Sequence, residues 1–393
     1  MIGFPAPRLK HIQSNWRNDK LKKVFALTLA CVMAMGLFLS GCAMKDPKDS
    51  QPGASNSGST GQREVVVCGW GENIDEDLFE LFEQKTGIKV VYQTAESNEM
   101  MYSKIAMGGS GYDVVVPSDY MIAQMIEEGM LAELDFGNIP NFDLISDRFK
   151  NLSYDPDNKY SVPYTWGTLG IIYNPTILGE DIDSWGALFD AKYAGKTAMI
   201  GNPRDAIAAA LLYLGYSINT SDEAQIREAY QLIADAKAAG VYQGFFMDEI
   251  YDKMEVGETA LCTYYAGDYL SMYDNNSDLK FVIPKEGSNW FVDAMCVLKD
   301  AKNKTEAEEW INFICSTEAS LRNMDYIWYA SPNETALEEY PAYYQEQTGE
   351  ELPQEIYEVM AAPQEVLDNC EMYLNLPMDT RTLYNDLWTQ LGI

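Results

Sequence analysis

The sequence predicts an α/β protein built on parallel sheets covered by helices on both faces. Three observations carry this expectation. β-type runs alternate with helical stretches along most of the 393 residues. The run 112–116 is nearly all apolar, as a strand buried on both faces requires. Helix ends are marked by capping residues and by glycines. The chain is 47% hydrophobic, which is enough for one large domain or two ordinary ones.

The first β-type run is 64–67, followed by the loop Gly69-Trp70-Gly71-Glu72. Asp75 is placed to cap a helix with the apolar stripe Leu78, Leu81 and Phe82, ended by Gly87. Residues 88–92 are β-type and 98–107 helical. After the strand at 112–116, Pro117-Ser118-Asp119-Tyr120 opens a helix over 120–128, stopped by Gly129. Beyond Pro163, 169–173 and 197–200 are β-type. Gly201 to Asp205 then leads an Ala-rich helix. Ser221 is placed to cap a helix running to Ala239 and halted by Gly240. Residues 259–264, 281–283 and 293–298 are β-type. Thr305-Glu306-Ala307-Glu308 reads as a capping box opening a helix over 305–316, and the remainder is mainly helical.

In open α/β sheets ligands sit beyond the carboxyl ends of strands. Trp70 and Glu72, then Ser118, Asp119 and Tyr120, then Asn202 and Asp205, then Tyr264 and Tyr265 each follow a β-type run. Singly, Trp70 would suit a core, Asp119 and Asp205 would suit helix caps, and the tyrosine pair would suit a strand. Their recurrence at strand ends points to a site of rings and anions. Ring faces attract ammonium groups by roughly 0.5–2 kcal/mol each. A carboxylate–ammonium hydrogen bond adds about 1.5–3 kcal/mol. Such acids are costly to bury without a cation, so the set predicts a site that closes on its guest.

Formal charge is −32. The first 41 residues carry six Lys/Arg and one acid, so the rest of the chain holds −37. That body repels nucleic acid and anionic lipid and concentrates cations. Lys20, Lys22 and Lys23 precede the apolar stretch 24–42, the form of a secretory signal. Leu39-Ser40-Gly41-Cys42 resembles a lipobox, which predicts a signal peptide over 1–41 and a lipid on Cys42; a plain membrane anchor is the alternative. Residues 42–62 read as a flexible Ser/Gly/Pro tether. The folded part, from about Arg63, is then expected outside the cytoplasmic membrane. Cys68, Cys262, Cys296, Cys315 and Cys370 lack CxxC spacing, so zinc is not expected; buried free thiols are, with room for one disulfide. The one histidine, His11, lies in the leader.

Several stretches in order carry a family resemblance: GWGENIDEDLFELFEQKTGIKV (69–90), YDVVVPSDYMIAQMIEEGML (112–131), YSVPYTWGTLGIIYN (160–174), LGYSINTSD (214–222), WFVDAMCVLKDAKNKTEAEEWINFI (290–314) and YASPN (329–333). The chain resembles the spermidine/putrescine-binding proteins of bacterial ABC transporters. The resemblance implies a two-lobed periplasmic-binding-protein-like fold with a hinge and an interlobe cleft. Lobe 1 would be 63–167 with about 292–335 returning to it. Lobe 2 would be 168–291 with about 336–393 packed on it. It implies a polyamine ligand, delivery to permease subunits, a monomer, membrane contact through the lipid alone, no enzymatic activity and no cofactor. By motif, Trp70, Tyr265 and Phe291 would stack on methylenes. Glu72, Asp205 and Asp293 would take the ammonium ends, with Asp119 as a further carboxylate. Ser118, Tyr120, Asn202 and Tyr329 would hydrogen-bond. The family pattern has an acid at Asn202, Trp at Tyr265 and Phe291, and a neutral residue at Asp119. Two alternatives stay open: the same fold carrying ferric ion or another small solute through Tyr264 and Tyr265, and a surface glycosidase using Glu72 and Asp293 as paired acids.

Overall fold

The sheet is mixed rather than parallel. Ten strands form one array with the order β2-β1-β3-β9-β4-β7-β5-β6, where β8 pairs β4 and β10 pairs β9. The strands are β1 (Arg63–Trp70), β2 (Ile88–Ala95), β3 (Val114–Val115), β4 (Ser161–Tyr173), β5 (Thr197–Ile200), β6 (Tyr242–Phe246), β7 (Leu261–Tyr265), β8 (Lys280–Val282), β9 (Ser288–Val297) and β10 (Cys370–Glu371). This computed structural model describes residues 62–393, and Arg63–Ile393 form one compact unit. The expected signal peptide, the lipid site Cys42 and nearly all of the tether lie outside the described residues. Among the described residues no helix is long and apolar enough to cross a membrane.

The expected β-α alternation does produce parallel pairs: β1 with β2 and β3, and β5 with β6 and β7. The sheet becomes mixed because two long strands run against them. β4 pairs antiparallel with β9 from Ser161 to Thr168, then antiparallel with β7 from Leu169 to Tyr173. All thirteen residues of β4 are buried, so the alternation Ser161-Val162-Pro163-Tyr164-Thr165-Trp166 of its first half does not mark a solvent face. Only its second half is legible as a strand, because Pro163 interrupts the first half. The register shift between Pro163 and Thr165 absorbs that proline. Strand β9 pairs with β3 and β4 and, at Ser288 and Asn289, with β10, and it starts five residues earlier than the sequence suggests.

Other boundaries shift for local reasons. β1 continues through Trp70, which places the indole on the last strand residue. The run 112–116 keeps only Val114 and Val115 as strand, since Pro117 and the Gly-rich turn cut it short. The helix Glu223–Ala238 is capped by Asp222 and not Ser221, the Asp222 carboxylate accepting from Ala224 N at 2.8 Å. The Thr305 capping box does not form. The helix Lys304–Ile314 has Asn303 at its N-cap with no side-chain cap bond. Its entry is held instead by Asp113, which accepts from Lys302 N, Asn303 N and Asn303 Nδ2, each at 3.0 Å. The same carboxylate accepts from Val66 N at 2.9 Å and so ties β1 to that helix. The five cysteines within the described residues are free, four of them buried.

Asp113 is 1% exposed and serves four donors. Asp113→Ala leaves those donors unpaired in the interior and is expected to lower the unfolding free energy by about 3 kcal/mol. The readout is a lower urea midpoint at unchanged slope; a midpoint equal to the parent's would refute the assignment.

Candidate functional site

The loops after β1, β3, β5, β6 and β7 converge on one cavity of about 120 Å³. Ten of the eleven residues expected at the site line it: Trp70, Glu72, Ser118, Tyr120, Asn202, Asp205, Tyr265, Phe291, Asp293 and Tyr329. Among the described residues its wall contains six carboxylates, eight aromatic rings and no lysine, arginine or histidine.

Asp119 is the exception. It is fully buried, and its carboxylate accepts from Tyr120 N at 2.7 Å and Val292 N at 3.4 Å. It therefore serves backbone amides behind the wall and does not face the cavity, correcting its expected place there. Asn202 is mainly a cap: its Oδ1 accepts from Arg204 N at 2.9 Å at the start of the helix Pro203–Tyr213.

β4 organises the remainder. Thr165, Gly167 and Leu169 stand opposite Asp293, Phe291 and Tyr265 respectively. Residues two apart on a strand share a face, so an acid and two rings follow one another at strand spacing. Four residues at 3.3 Å put the outer two registers about 13 Å apart. The rings lie close to the backbone because two glycines leave room. A Cβ on Gly267 would sit 2.4 Å from the Tyr329 ring, and one on Gly167 would crowd the Tyr329 and Phe291 rings at 3.2–3.3 Å. Phe291 meets Tyr265 edge-on, centroids 5.4 Å apart.

Each buried acid is held by neutral donors. Trp70 Nε1 donates to Asp293 Oδ2 at 3.0 Å, and Ser118 Oγ donates to Asp293 Oδ1 at 2.7 Å. Asn98 fixes that serine by donating from Nδ2 to Ser118 Oγ at 3.0 Å and accepting from Ser118 N. Tyr265 OH and Tyr373 OH donate to the two oxygens of Asp205 at 2.7 and 2.9 Å. Tyr329 OH donates to Asp268 at 2.9 Å, and Tyr251 OH donates to its other oxygen. Burial raises the pKa of Asp293 and of Asp205 to about 6 and that of Asp268 to about 7, outweighing the hydrogen bonds that favour the charged forms. Glu72 sits exposed at the rim with φ +50°, a left-handed conformation that few non-glycine residues adopt. Across the mouth, a Cβ on Gly71 would lie 3.5 Å from Asp248 Oδ2, so the loop after β1 meets the loop after β6.

Asp248, Asp268, Tyr251 and Tyr373 are site residues that sequence reasoning missed. Asp268 follows Tyr265 by three residues, in the first turn of the helix Ala266–Asn275, so extending the strand-end rule by one turn finds it. Asp248 follows β6, whose glycine and mixed exposure hide it as a strand. No local pattern marks Tyr373. The paired tyrosines do not act together: Tyr265 OH donates to Asp205, while Tyr264 OH donates to Asp248 at 3.1 Å. Burial pushes both phenols up, away from the phenolate a ferric site uses. Asp293, which the glycosidase reading paired with Glu72, is committed to an indole and a hydroxyl.

The sequence profile of the family described as bacterial extracellular solute-binding proteins matches residues 77–349. The chain is 34% identical over 266 residues to the spermidine/putrescine-binding periplasmic protein of Salmonella typhimurium, covering 67% of this chain and 76% of that one. Among solved structures, a candidate spermidine/putrescine ABC transporter from Listeria monocytogenes is 37% identical with a TM-score of 0.78, over 84% of this chain and 99% of its own. The substrate-binding protein PotD from Streptococcus pneumoniae, of a spermidine/putrescine ABC transporter, is 33% identical with a TM-score of 0.70, over 84% and 98%. The fold is thus the periplasmic-binding-protein-like one.

An acid whose pKa is raised in the folded, empty protein binds its proton more tightly there than when unfolded. The empty protein therefore loses stability as pH climbs from about 4 through about 7. A cationic guest needs these acids charged, so its affinity moves the other way. Calorimetry with a diamine is expected to show affinity falling at least about tenfold from pH 7.5 to pH 5.5. Flat affinity across that window would contradict the placement of these acids.

Proposed function

The chain belongs to the family of bacterial extracellular solute-binding proteins, and from that premise we propose that it captures a polyamine, putrescine or spermidine in kind, and delivers it to the permease of an ABC transporter. The observation that carries this reading is the wall of six carboxylates and eight rings with no basic side chain. One ammonium binds Asp293, and the other end of the chain meets Asp205 and Asp268. Methylenes run along Trp70, Phe291 and Tyr265. Glu72 closes over the guest from the rim. Ser118 and Tyr329 act through the acids they hydrogen-bond, orienting the lone pairs that receive the ammonium.

Magnitudes support a guest with several contacts. Keeping Asp293 charged at neutral pH in the closed, empty site costs about 3 kcal/mol. One ammonium hydrogen bond returns about 1.5–3 kcal/mol. A single amine therefore roughly offsets one acid, and net affinity comes from the rings and from the second end. Closure is the step that brings all partners together. The change of partner along β4 at Thr168–Leu169, from β9 to β7, and along β9 at Asn289–Trp290, from β10 to β4, supports a hinge there, with lobe 1 over 63–167 plus about 292–335 and lobe 2 over 168–291 plus about 336–393. We assign the lipid to Cys42, which would tether a monomeric receptor to the outer face of the membrane.

Calorimetry with putrescine, spermidine and spermine is expected to give saturable heat with at least one of them; no heat and no melting shift at millimolar ligand would reject the reading. Asp293→Ala is expected to weaken binding about a hundredfold, equivalent to about 3 kcal/mol. Asp183→Ala, at an exposed ion pair with Lys285, should stay within about twofold.

A further inference from the structure

The row of rings in the cavity runs further than a guest with two charged ends requires. Phe291 meets Tyr265 with centroids 5.4 Å apart, Tyr265 meets Tyr264 at 5.1 Å, and Tyr264 meets Tyr251 edge-on at 6.3 Å. All four line the cavity. The acids grade from inside outward. Asp293 and Asp205 are 5% and 3% exposed, Asp268 is partly buried and Asp248 is exposed. The two outer acids take their hydroxyls from the far end of the ring row. Tyr251 OH donates to Asp268, and Tyr264 OH donates to Asp248 Oδ1 at 3.1 Å.

Neighbours on both sides place Asp248 in the mouth. Tyr264 holds Oδ1, while Oδ2 has no donor among the described residues and lies 3.5 Å from where a Cβ on Gly71 would stand. Tyr264 and Gly71 both line the cavity, so the carboxylate sits between two parts of its wall. Gly71 has no side chain, which leaves space beside Oδ2. No basic side chain lines the cavity to claim that oxygen.

In the function proposed above, Asp293 takes one ammonium and Asp205 with Asp268 takes the other. That uses both charges of a diamine and leaves Asp248 over. A third ammonium, on an alkyl extension lying along Tyr264 and Tyr251, meets ring faces and an oriented carboxylate there. With a diamine the same carboxylate stays in water at little cost, because it is exposed.

Resting on the polyamine reading, we propose that Asp248 is a specificity-determining residue: it receives the third ammonium of a linear triamine and makes the protein prefer a triamine to a diamine. Its contribution is modest, since a charge pair at the mouth keeps its contact with water.

The test is calorimetry with putrescine and spermidine on the parent, on Asp248→Asn and on Asp183→Asn. The parent is expected to bind spermidine about fivefold more tightly than putrescine, or better, and Asp248→Asn to lower that ratio about fivefold. Asn keeps an oxygen for Tyr264 OH, and a ratio of two affinities is insensitive to a loss of folded protein. Asp183→Asn removes the same charge at the exposed pair with Lys285, outside the cavity, and should leave the ratio within about twofold. A parent that binds putrescine as tightly as spermidine overturns the proposal. So does a ratio unmoved in Asp248→Asn, or one moved equally by Asp183→Asn. In those cases both amines still bind and the polyamine reading stands; binding of neither amine rejects that reading and this proposal with it.

Discussion

Everything in the main cavity depends on carboxylates kept out of water by neutral donors. Asp293, Asp205 and Asp268 are each gripped by two hydroxyl or indole groups, and none has a basic neighbour at the wall. A salt bridge within the protein would have removed the desolvation cost and with it the reason to bind anything. Neutral donors orient the acids without discharging them. The site is thereby left short of positive charge by construction, and closing it without a cation is unfavourable.

That arrangement needs a scaffold able to bring acids from distant parts of the chain to one wall. β4 supplies it by exchanging its neighbour from β9 to β7 midway, so residues from both strands meet on one face. Gly167 and Gly267 let the Phe291 and Tyr329 rings settle against the backbone. Asp268 lies on a helix that follows β7, while Tyr329, its donor, comes from a segment that bridges back to β4 through Ala330.

Much of this was legible because strand ends announce themselves. Trp70 and Tyr265 stand where a β-type run stops and Asp205 in the helix turn that follows one; that rule located eight residues of the wall, and the family resemblance added Phe291, Asp293 and Tyr329. It failed where tertiary partners decide between equivalent local features. Asp119, Asp205 and Asp268 are all acids in the first turn of a helix. Val292 N and Tyr120 N claim Asp119, whereas tyrosines claim the other two, and nothing within four residues of each reveals this. Strand β4 hid its first half behind Pro163, and β6 hid behind its glycine, so Asp248 went unseen. The helix at Lys304 shows the same limit: a good capping box at Thr305 lost to a carboxylate nearly two hundred residues earlier.

Net charge alone selects nothing, since a chain at −32 draws metal ions and amines alike. Selection comes from spacing. A metal ion gathers carboxylate oxygens around one point. Here Asp293 and Tyr265, whose hydroxyl donates to Asp205, belong to β4 registers about 13 Å apart with a phenylalanine ring between them. No single ion reaches both ends, and a hydrated one gains little from Phe291 to replace its lost water. A flexible chain with charged ends and an apolar middle satisfies acids and ring together. The order acid, ring, ring with its acid along β4 is therefore the feature that turns a general attraction for cations into preference for one class of them.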